Sequence, residues 1–415
     1  MYGNLMMYFH PQDRLPMETL THCPICAENL AHTTVFDTSS IYLHDLAPGS
    51  EIVMCNGCGV VLQRRRLAAT SWEGYNEAFS SDGQTKWDHD TYRFEPELNA
   101  LAQYCRNHAA ILDVGCNFGE LTKLLCDKGY AAEGTDIRAS AIDYGRRTYG
   151  LPLHEGYYNM QTAQFIGDRF DAVISVHAFE HFHDPLACLQ AMRFNLKYNG
   201  LVFLTLPDTE PLIPPTNGMP FDFFTSGHPF YYDRFTLENI LKQSGFDVLE
   251  IKRGFDPVSE RPVLRAIAKK RDVGEPDFKA RRPNYTAAAL TEFQTTFIRQ
   301  REEAILTNLA LNAPTRVAVY GAWLYGLLTV KALGRNGHQI ALVVDSDPGK
   351  WGHLLAGHII RSQEELKQDS SLGAVAIASI GGFEAIKNQI RQHPGMQTVP
   401  LLSIAGGIIR KKHAG

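Results

Sequence analysis

Strand-length apolar runs and helix-length periodic stretches alternate along much of this chain. The run AAILDVGC at 109–116 is apolar enough for a buried strand, and Leu121, Leu124 and Leu125 then recur on one helix face. A second strand, turn and helix of this kind begins at Arg316, and the apolar run QIALVVD follows it. The alternation predicts an α/β chain with parallel sheets. These apolar runs are far shorter than the about 20 residues of a membrane-spanning helix, so none is expected.

Glycines and aspartates around the first apolar run match a nucleotide site. Asp113, Gly115 and Gly119 lie where the strand turns into the helix, and Asp136 ends the next apolar run, AAEGTDI. Glycines let the backbone approach a ligand at the carboxyl edge of a parallel sheet, and an acidic residue about 20 positions later binds ribose hydroxyls. The strand, the helix and the distance to Asp136 together predict a nucleotide-binding fold.

Two C-x-x-C pairs frame a short strand-rich stretch in the first 65 residues. Cys23 and Cys26 form one pair, and Cys55 and Cys58 form the other. This spacing predicts a tetrahedral zinc site with four thiolate ligands. Four thiolates leave no open position for water, so the metal would be structural and a zinc-ribbon-like module would depend on it to fold. The remaining cysteines are expected to be reduced and mostly core: Cys105, Cys116, Cys126 and Cys188.

Composition narrows the function classes. The length of 415 residues suggests two to four domains. With 44% hydrophobic and 20% charged residues, the chain is neither disordered nor collagen-like. The net charge of −5 argues against a protein built mainly to hold nucleic acid. No basic region followed by a long apolar core precedes residue 20, so a cytoplasmic protein is expected.

The central segment resembles the class I S-adenosylmethionine-dependent methyltransferases. Motif I of that family matches D-x-G-x-N-x-G at 113–119, and three later segments match in order: RFDAVISVHAFEHFHDP, LKYNGLVFLTLP and FTLENILKQSGFDVLEI. The resemblance implies that Gly115, Asn117 and Gly119 accept the methionine part of S-adenosylmethionine. It implies further that Asp113 orients this loop or binds the amino group, that Asp136 binds the ribose, and that His177 lines the methionine side. It assigns no adenine-binding residue.

The flanking segments narrow the resemblance to the sugar C-methyltransferases of deoxysugar biosynthesis. Those enzymes join a zinc module, a central methyltransferase domain and a Rossmann-like C-terminal domain, and motif I there often reads G-C-N-x-G, as here. We therefore expect an α/β fold with a class I methyltransferase Rossmann-like domain, an N-terminal zinc-ribbon-like module and a second C-terminal Rossmann-like domain. The predicted boundaries are a zinc module at 1–70, the methyltransferase domain at 71–258, a helical connector at 259–312 and a substrate-binding domain at 313–415.

A catalytic stretch of the form F-D-x-x-Y-x-E-H in that family corresponds to FDFFTSGH at 221–228. The resemblance implies that His228 is the general base that removes the proton next to a ketone, with His181 as a second catalytic residue. Thr225 and Gly227 replace the family's tyrosine and glutamate. A loop histidine without a catalytic role is the alternative for His228, and for His181 a structural or substrate-lining role is as consistent as catalysis. His183, in the same loop as His181, is expected to be a surface residue.

Three residues near this stretch are candidates for substrate contact: Asp222, Thr225 and Tyr231. For Tyr231, packing is the alternative. A hydroxyl could also be the methyl acceptor, since hydroxyl methylation needs only a base and in-line positioning. The second glycine turn adds Gly321 and Tyr325, which the resemblance suggests cradle the nucleotide part of a sugar substrate. A purely packing domain is the alternative there.

The partner expected from these features is a small molecule, a nucleotide sugar, with no nucleic acid and no membrane. An RNA base methyltransferase with a zinc module is a rival, since short basic clusters occur at 64–66, 269–271 and 410–412. A non-catalytic nucleotide-binding protein is a third possibility. The sequence does not indicate an oligomeric state.

Overall fold

The computed structural model describes residues 16–31, 50–71, 91–210, 227–257, 262–271, 299–322, 324–379 and 382–404. The described residues up to 271 belong to one compact unit, and those from 299 onward belong to a second. None of the described helices is long and apolar enough to cross a membrane.

The first part of the chain forms a small antiparallel sheet around a central strand, β3. The first strands are β1 (Met17–Thr19), β2 (Glu51–Met54) and β3 (Val61–Leu67). Both β1 and β2 pair with β3. A much later strand, β9 (Phe230–Tyr231), also pairs with β3, through Val61 with Tyr231 and Leu62 with Phe230. The cysteine module, as we call the described residues 16–31 and 50–71, is therefore completed by a segment from the middle of the chain.

A seven-stranded sheet forms the body of this unit, in the order β10–β11–β8–β7–β4–β5–β6. Its strands are β4 (Ala110–Val114), β5 (Ala131–Asp136), β6 (Leu153–Glu155), β7 (Phe170–Val176), β8 (Leu196–Pro207), β10 (Phe246–Phe255) and β11 (Pro262–Lys270). The strands from β8 to β6 are parallel, whereas β11 is antiparallel to both β8 and β10. Parallel strands bring their carboxyl ends to one edge, where ligands of such sheets bind.

Helices precede or connect these strands. They are α1 (Glu95–Tyr104), α2 (Glu120–Asp127), α3 (Ala139–Tyr149), α4 (Met160–Ile166), α5 (Pro185–Asn195) and α6 (Arg234–Gln243). Their starts follow from local sequence, since Asn159, Asp184 and Asp233 each accept a hydrogen bond from a backbone N–H in the first turn. The methyltransferase domain was predicted to end at residue 258, but β11 lies beyond that residue and still belongs to the same sheet. Ile267 and Ala268 of β11 are buried there.

One continuous core joins the cysteine module to the seven-stranded sheet and its helices. Leu30 and Leu62 from the module, Leu237 from α6 and Leu264 from β11 belong to the same buried cluster, and all four are fully inaccessible to solvent. Burial of such side chains contributes about 1.5–3 kcal/mol each. The module is therefore packed into this unit as part of its hydrophobic core.

The second unit contains a six-stranded sheet in the order β14–β15–β13–β12–β16–β17. Its strands are β12 (Arg316–Tyr320), β13 (Gln339–Asp345), β14 (Leu354–Leu355), β15 (His358–Ser362), β16 (Ala374–Ile377) and β17 (Leu401–Ser403). All neighbouring pairs are parallel except β14 with β15. Its helices are α7 (Leu324–Arg335) and α8 (Phe383–Arg391), and a preceding helix is described over 299–309. This is the parallel α/β pattern that the apolar runs predict.

Candidate active site

The glycine loop after β4 adopts a conformation that few side chains tolerate. Gly115, Asn117 and Gly119 have φ values of +79°, +53° and +88°. A Cβ atom added to Gly115 would lie 2.2 Å from the Cβ of Ala178, which follows β7. Only glycine permits this close approach. The loop from β4 and the turn after β7 therefore meet at the carboxyl edge of the sheet.

Asp136 lies at the end of β5 with its carboxylate turned to this loop. Its Oδ2 accepts a hydrogen bond from the backbone N–H of Asn117 at 2.9 Å, and its Oδ1 accepts one from the N–H of Arg138 at 2.9 Å. A carboxylate has about four acceptor positions, so both oxygens can accept further bonds from a ribose. Asp136 thus fits the predicted ribose-binding role.

Asp113 lies deeper, beneath the loop. Asp113 is 2% exposed, and its Oδ2 accepts a hydrogen bond from Thr122 Oγ1 at 2.9 Å. Burial raises the pKa of Asp113 to about 7, although the bond from Thr122 opposes this shift. Because Thr122 lies in the first turn of α2, Asp113 ties the strand to the helix. This contact favours the loop-orienting role over a direct bond to the amino group of the cofactor.

His177 begins the turn after β7 and lies between two acids. Its φ is +52°, its Nε2 lies 3.3 Å from Asp256 Oδ2, and its Nδ1 lies 3.6 Å from Glu180 Oε1. Burial alone would lower the pKa of His177, but hydrogen bonds to Asp256 and Glu180 raise it to about 9. Burial would likewise raise the pKa of Glu180, but His177 lowers it to about 2. The imidazole is therefore held charged beside the cofactor loop.

Asp256 is a residue that the sequence reasoning missed. It follows β10, about 80 residues after His177, and it is 4% exposed. No motif marks it, and only the antiparallel end of the sheet brings it to His177. The Asp-Pro turn at this point in GFDPVSE is an ordinary strand end and gives no chemical signal.

The two histidines predicted to be catalytic lie side by side. The ring centroids of His181 and His228 are 4.7 Å apart. His181 Nδ1 lies 2.6 Å from the carbonyl oxygen of Gly227. A carbonyl oxygen only accepts hydrogen bonds, so Nδ1 carries the proton and Nε2 is the basic nitrogen. Sequence reasoning placed both residues near the reaction, and the structure brings them together.

Glu180 adds a carboxylate to this histidine pair. One ligand atom each of Glu180, His181 and His228 lies within 4.8 Å of the others. Glu180 is 3% exposed, and its Oε2 has no hydrogen-bond partner among the residues that the structure describes. Such a set can hold a divalent cation. It can equally serve as a pair of bases beside a buried negative charge.

The four cysteines of the two C-x-x-C pairs converge as the spacing predicts. Cys23 Sγ lies 3.8 Å from Cys58 Sγ, and Cys26 Sγ lies 3.5 Å from Cys55 Sγ. All four sulfurs form one group, with Cys23, Cys55 and Cys58 buried. Zinc–sulfur bonds of about 2.3 Å in a tetrahedron place sulfurs roughly 3.8 Å apart. The sulfur positions therefore fit a four-thiolate zinc ion.

The residues predicted to contact the substrate near His228, and the loop residue His183, lie in different environments. Asp222 and Thr225 lie outside the described residues. Tyr231 is 2% exposed, and its hydroxyl accepts a hydrogen bond from Gln63 Nε2 at 3.1 Å, as the packing alternative requires. His183, predicted from sequence to be a surface residue, is instead 7% exposed. Its Nε2 lies 3.0 Å from the carbonyl oxygen of Leu67, and burial lowers its pKa to about 4.

The second glycine turn follows β12. Gly321 has a φ of +103°, and Tyr325 lies in the first turn of α7, where its carbonyl accepts a bond from Thr329. The strand-end Asp345 Oδ2 accepts the N–H of Ala322 at 2.7 Å and pairs with Lys350 Nζ at 3.0 Å. Asp345 and Lys350 are both buried, so this carboxylate closes the turn.

The central region of the chain is similar to known methyltransferases. Residues 87–251 match the family model described as a methyltransferase domain. A ubiquinone biosynthesis O-methyltransferase of Histophilus somni is 29% identical over 147 residues, which cover 31% of this chain and 61% of that protein. The enzyme of the same name from Cereibacter sphaeroides is 31% identical over 104 residues, covering 24% and 42%. The chain thus spans about three fifths or less of the length of these curated relatives.

The chain is also similar to solved structures of low sequence identity. The 1,6-didemethyltoxoflavin-N1-methyltransferase of Burkholderia thailandensis is 16% identical, with a TM-score of 0.40, over 55% of this chain and 97% of that one. The Haloferax volcanii complex of the Trm112 methyltransferase activator with a methyltransferase gives 18% identity and a TM-score of 0.39, over 47% and 97%.

The glycine loop, the carboxylate at the end of β5 and the family match all concern the same segment. The family match confirms the methyltransferase prediction made from motif I and the three segments that follow it. Residues 87–251 match a methyltransferase domain, which supports an S-adenosylmethionine-dependent methyltransferase.

Proposed function

We propose that the protein transfers a methyl group from S-adenosylmethionine to a nucleotide-linked sugar, at a carbon next to a ketone, with His228 as the general base. One observation supports this most. His181 and His228 are adjacent, and the turn that carries His181 packs against Gly115 through Ala178. Two imidazoles therefore lie near the loop assigned to the methionine part of the cofactor.

The chemistry required of the chain is limited. When bound, S-adenosylmethionine would supply a methyl group on a positively charged sulfur, which would keep the electron pair of the broken S–C bond and leave as a neutral thioether. His228 takes the proton next to the ketone, and the electron pair of the broken C–H bond becomes an enolate whose carbon accepts the methyl group. Imidazole suits this task because its pKa lies near the working pH. Asp136, Gly115, Asn117 and Gly119 hold the cofactor.

A sugar O-methyltransferase is the second candidate. It is favoured by the names of the curated relatives, which are O-methyltransferases. Thr225 and Gly227, at the positions of the sugar C-methyltransferases' tyrosine and glutamate, also favour it. In this case His181 or His228 takes the proton of a hydroxyl, whose oxygen accepts the methyl group.

The basic clusters give little support to an RNA substrate. Arg64 pairs with Glu51 at 2.7 Å, and Arg66 pairs with Glu18 at 2.6 Å. Arg271 pairs with Asp247 at 2.7 Å. These guanidinium groups are already engaged by carboxylates, so they are poorly suited to follow a phosphate backbone. This supports a small-molecule substrate.

We propose that Cys23, Cys26, Cys55 and Cys58 bind a structural zinc ion. Elemental analysis is expected to find one zinc per chain in the purified protein. Cys58→Ser is expected to lose the metal and unfold the module, while Cys105→Ser, outside the cluster, retains it. Equal zinc content in the two variants would contradict the assignment.

The second unit remains our candidate for binding the nucleotide part of the substrate, with Gly321 and Tyr325 as contact residues. Support comes from the strand, glycine turn and helix that the unit shares with nucleotide-binding folds. Tyr325→Ala is expected to raise KM for a nucleotide sugar without changing S-adenosylmethionine affinity. An unchanged KM would favour the packing alternative.

The decisive assay is incubation with methyl-¹³C-labelled S-adenosylmethionine and a panel of nucleotide-linked 4-ketosugars and their hydroxyl counterparts. NMR of the product distinguishes a methyl on carbon from one on oxygen. His228→Gln should lower kcat about 100-fold or more if His228 is the base. His181→Gln is the matched variant, and the residue with the larger loss is assigned as base. Wild-type turnover by His228→Gln would exclude His228.

Two controls separate the alternatives. The assay is run with and without added divalent cation, since a metal ion on Glu180, His181 and His228 would occupy the nitrogen needed for base catalysis. A protein that binds S-adenosylmethionine but methylates no sugar would contradict the sugar proposal. Salt-dependent retention of RNA would then favour the RNA methyltransferase.

A further inference from the structure

Strand β3 of the cysteine module contacts both segments that carry the proposed catalytic histidines. The side-chain amide of Gln63 donates a hydrogen bond to the carbonyl oxygen of His228 at 2.9 Å and another to the Tyr231 hydroxyl at 3.1 Å. The backbone N–H of Gln63 donates to the carbonyl oxygen of Pro229 at 2.9 Å. Gln63 itself is fully buried. A single residue of the module thus binds three of the four residues in the 228–231 segment.

The same strand also holds the segment after His181. Arg66 Nη2 donates to the carbonyl oxygen of His183 at 3.2 Å, and His183 Nε2 lies 3.0 Å from the carbonyl oxygen of Leu67. The Arg66 guanidinium lies over the ring of Phe230, 5.7 Å from its centroid. Gln63, Arg66 and Leu67 therefore link the two histidine segments through one strand.

We infer that β3 sets the distance between His181 and His228, and that Gln63 is a positioning residue for the proposed base. The inference rests on the proposed function for its catalytic consequence. The cysteine module is then part of the active-site framework, since its central strand carries the contacts. A misplacement of about 1 Å in such a framework can cost about 100-fold in rate.

Gln63→Met tests this, because methionine has a similar size but makes neither hydrogen bond. Arg65→Met is the matched control, since Arg65 is exposed on the same strand. For Gln63→Met we expect a fall in kcat of about tenfold or more with KM nearly unchanged. Its S-adenosylmethionine affinity should stay at the wild-type value, because Asp136 and the glycine loop are untouched. Arg65→Met should match the wild type in kcat, KM and S-adenosylmethionine affinity.

A second measurement does not depend on the substrate. Amide hydrogen exchange of residues 227–231, followed by mass spectrometry, should be at least about tenfold faster in Gln63→Met than in Arg65→Met. If the wild type methylates no sugar, the proposed function fails, while this exchange still tests the positioning role. Wild-type kcat or wild-type exchange in Gln63→Met would overturn the inference. If Gln63→Met does not fold, Gln63→Asn replaces it, with the same expected losses, because its shorter amide cannot reach either acceptor.

Discussion

Two loops of this protein share one plan but differ in what lies beneath them. Each follows a parallel strand, turns at a glycine with positive φ and is closed by an aspartate at the end of the next strand, Asp136 or Asp345. Under the first loop lies the buried Asp113, whereas Val319 occupies the corresponding strand position in the second. Asp345 is bound to a buried lysine, Lys350, while Asp136 faces a partly exposed Arg138. The shared plan indicates a common fold, and the added polar groups distinguish the loop that we assign to S-adenosylmethionine.

The sharpest test of this difference exchanges glycine for alanine in each loop. Gly115→Ala places a Cβ 2.2 Å from Ala178, so we expect a stability loss of about 4 kcal/mol and no measurable S-adenosylmethionine binding. At Gly321 the added Cβ meets the carbonyl of Ala378 at 3.2 Å, so the loss should be about 1–2 kcal/mol. Urea unfolding and calorimetry measure both, and retained cofactor binding in Gly115→Ala would contradict the site assignment.

The two aspartate partners should differ in their contribution to stability. Lys350 and Asp345 have side chains only 8% and 9% exposed, and breaking a buried ion pair costs about 3–5 kcal/mol. Arg138 is 15% exposed and lies 3.4 Å from Asp136, so Arg138→Met should cost only about 1 kcal/mol. Chemical unfolding of Lys350→Met and Arg138→Met measures the difference. Equal losses would mean that Asp345 does not depend on its lysine.

The two strand-end aspartates should differ in cofactor affinity. Asp136→Ala removes the proposed acceptor of ribose hydroxyls, and hydrogen bonds to charged groups contribute about 1.5–3 kcal/mol, so affinity should fall about tenfold to 100-fold. Asp345→Ala is the matched control and should leave affinity unchanged. The measurement is calorimetry well below the unfolding temperature of each variant. A loss in both variants would remove the distinction between the loops.

The smallest expected effect concerns Asp113 and pH. Burial raises its pKa from 3.8 to about 7, so the folded protein keeps a proton that the unfolded chain releases. Its contribution to stability therefore falls as pH rises from about 4 to about 7 and is constant above that. Asp113→Asn should match the wild type near pH 4 and exceed it at pH 8 by at least about 1 kcal/mol in urea unfolding. A difference that is the same at both pH values would show that Asp113 ionises normally.

The sequence was sufficient to predict those parts of the molecule whose contacts join residues close together in the chain. The loop at 113–119 and the second glycine turn lie within short strand–helix units, and the cysteine pairs have a spacing fixed by their ligand geometry. The segments that meet across the sheet were not predictable in this way. Asp256 follows β10, and it lies near His177 because β11 is antiparallel to both β10 and β8. No pattern in GFDPVSE indicates this strand pairing.

His183 is a second case in which a contact between distant residues was not predictable from the sequence. A histidine in an exposed-looking loop, EHFHDP, is read from sequence as solvated. Its burial depends on Leu67, which lies 116 residues earlier. Gln63 likewise belongs to no recognisable motif. Its contacts with the His228 segment are evident only from the pairing of β9 with β3. Sequence periodicity reports which face of an element is buried, but it does not report which distant element covers it.

The pairing of β9 with β3 also constrains how the chain folds during synthesis. The cysteines can gather once residue 58 has emerged, but the edge of β3 at Val61–Gln63 finds its partner only about 170 residues later. Until then that edge presents unpaired backbone groups beside apolar side chains, a pattern that favours association between chains. Fragments ending before Phe230 should therefore aggregate even with metal bound, and the module is not a domain that can be moved by itself to another protein.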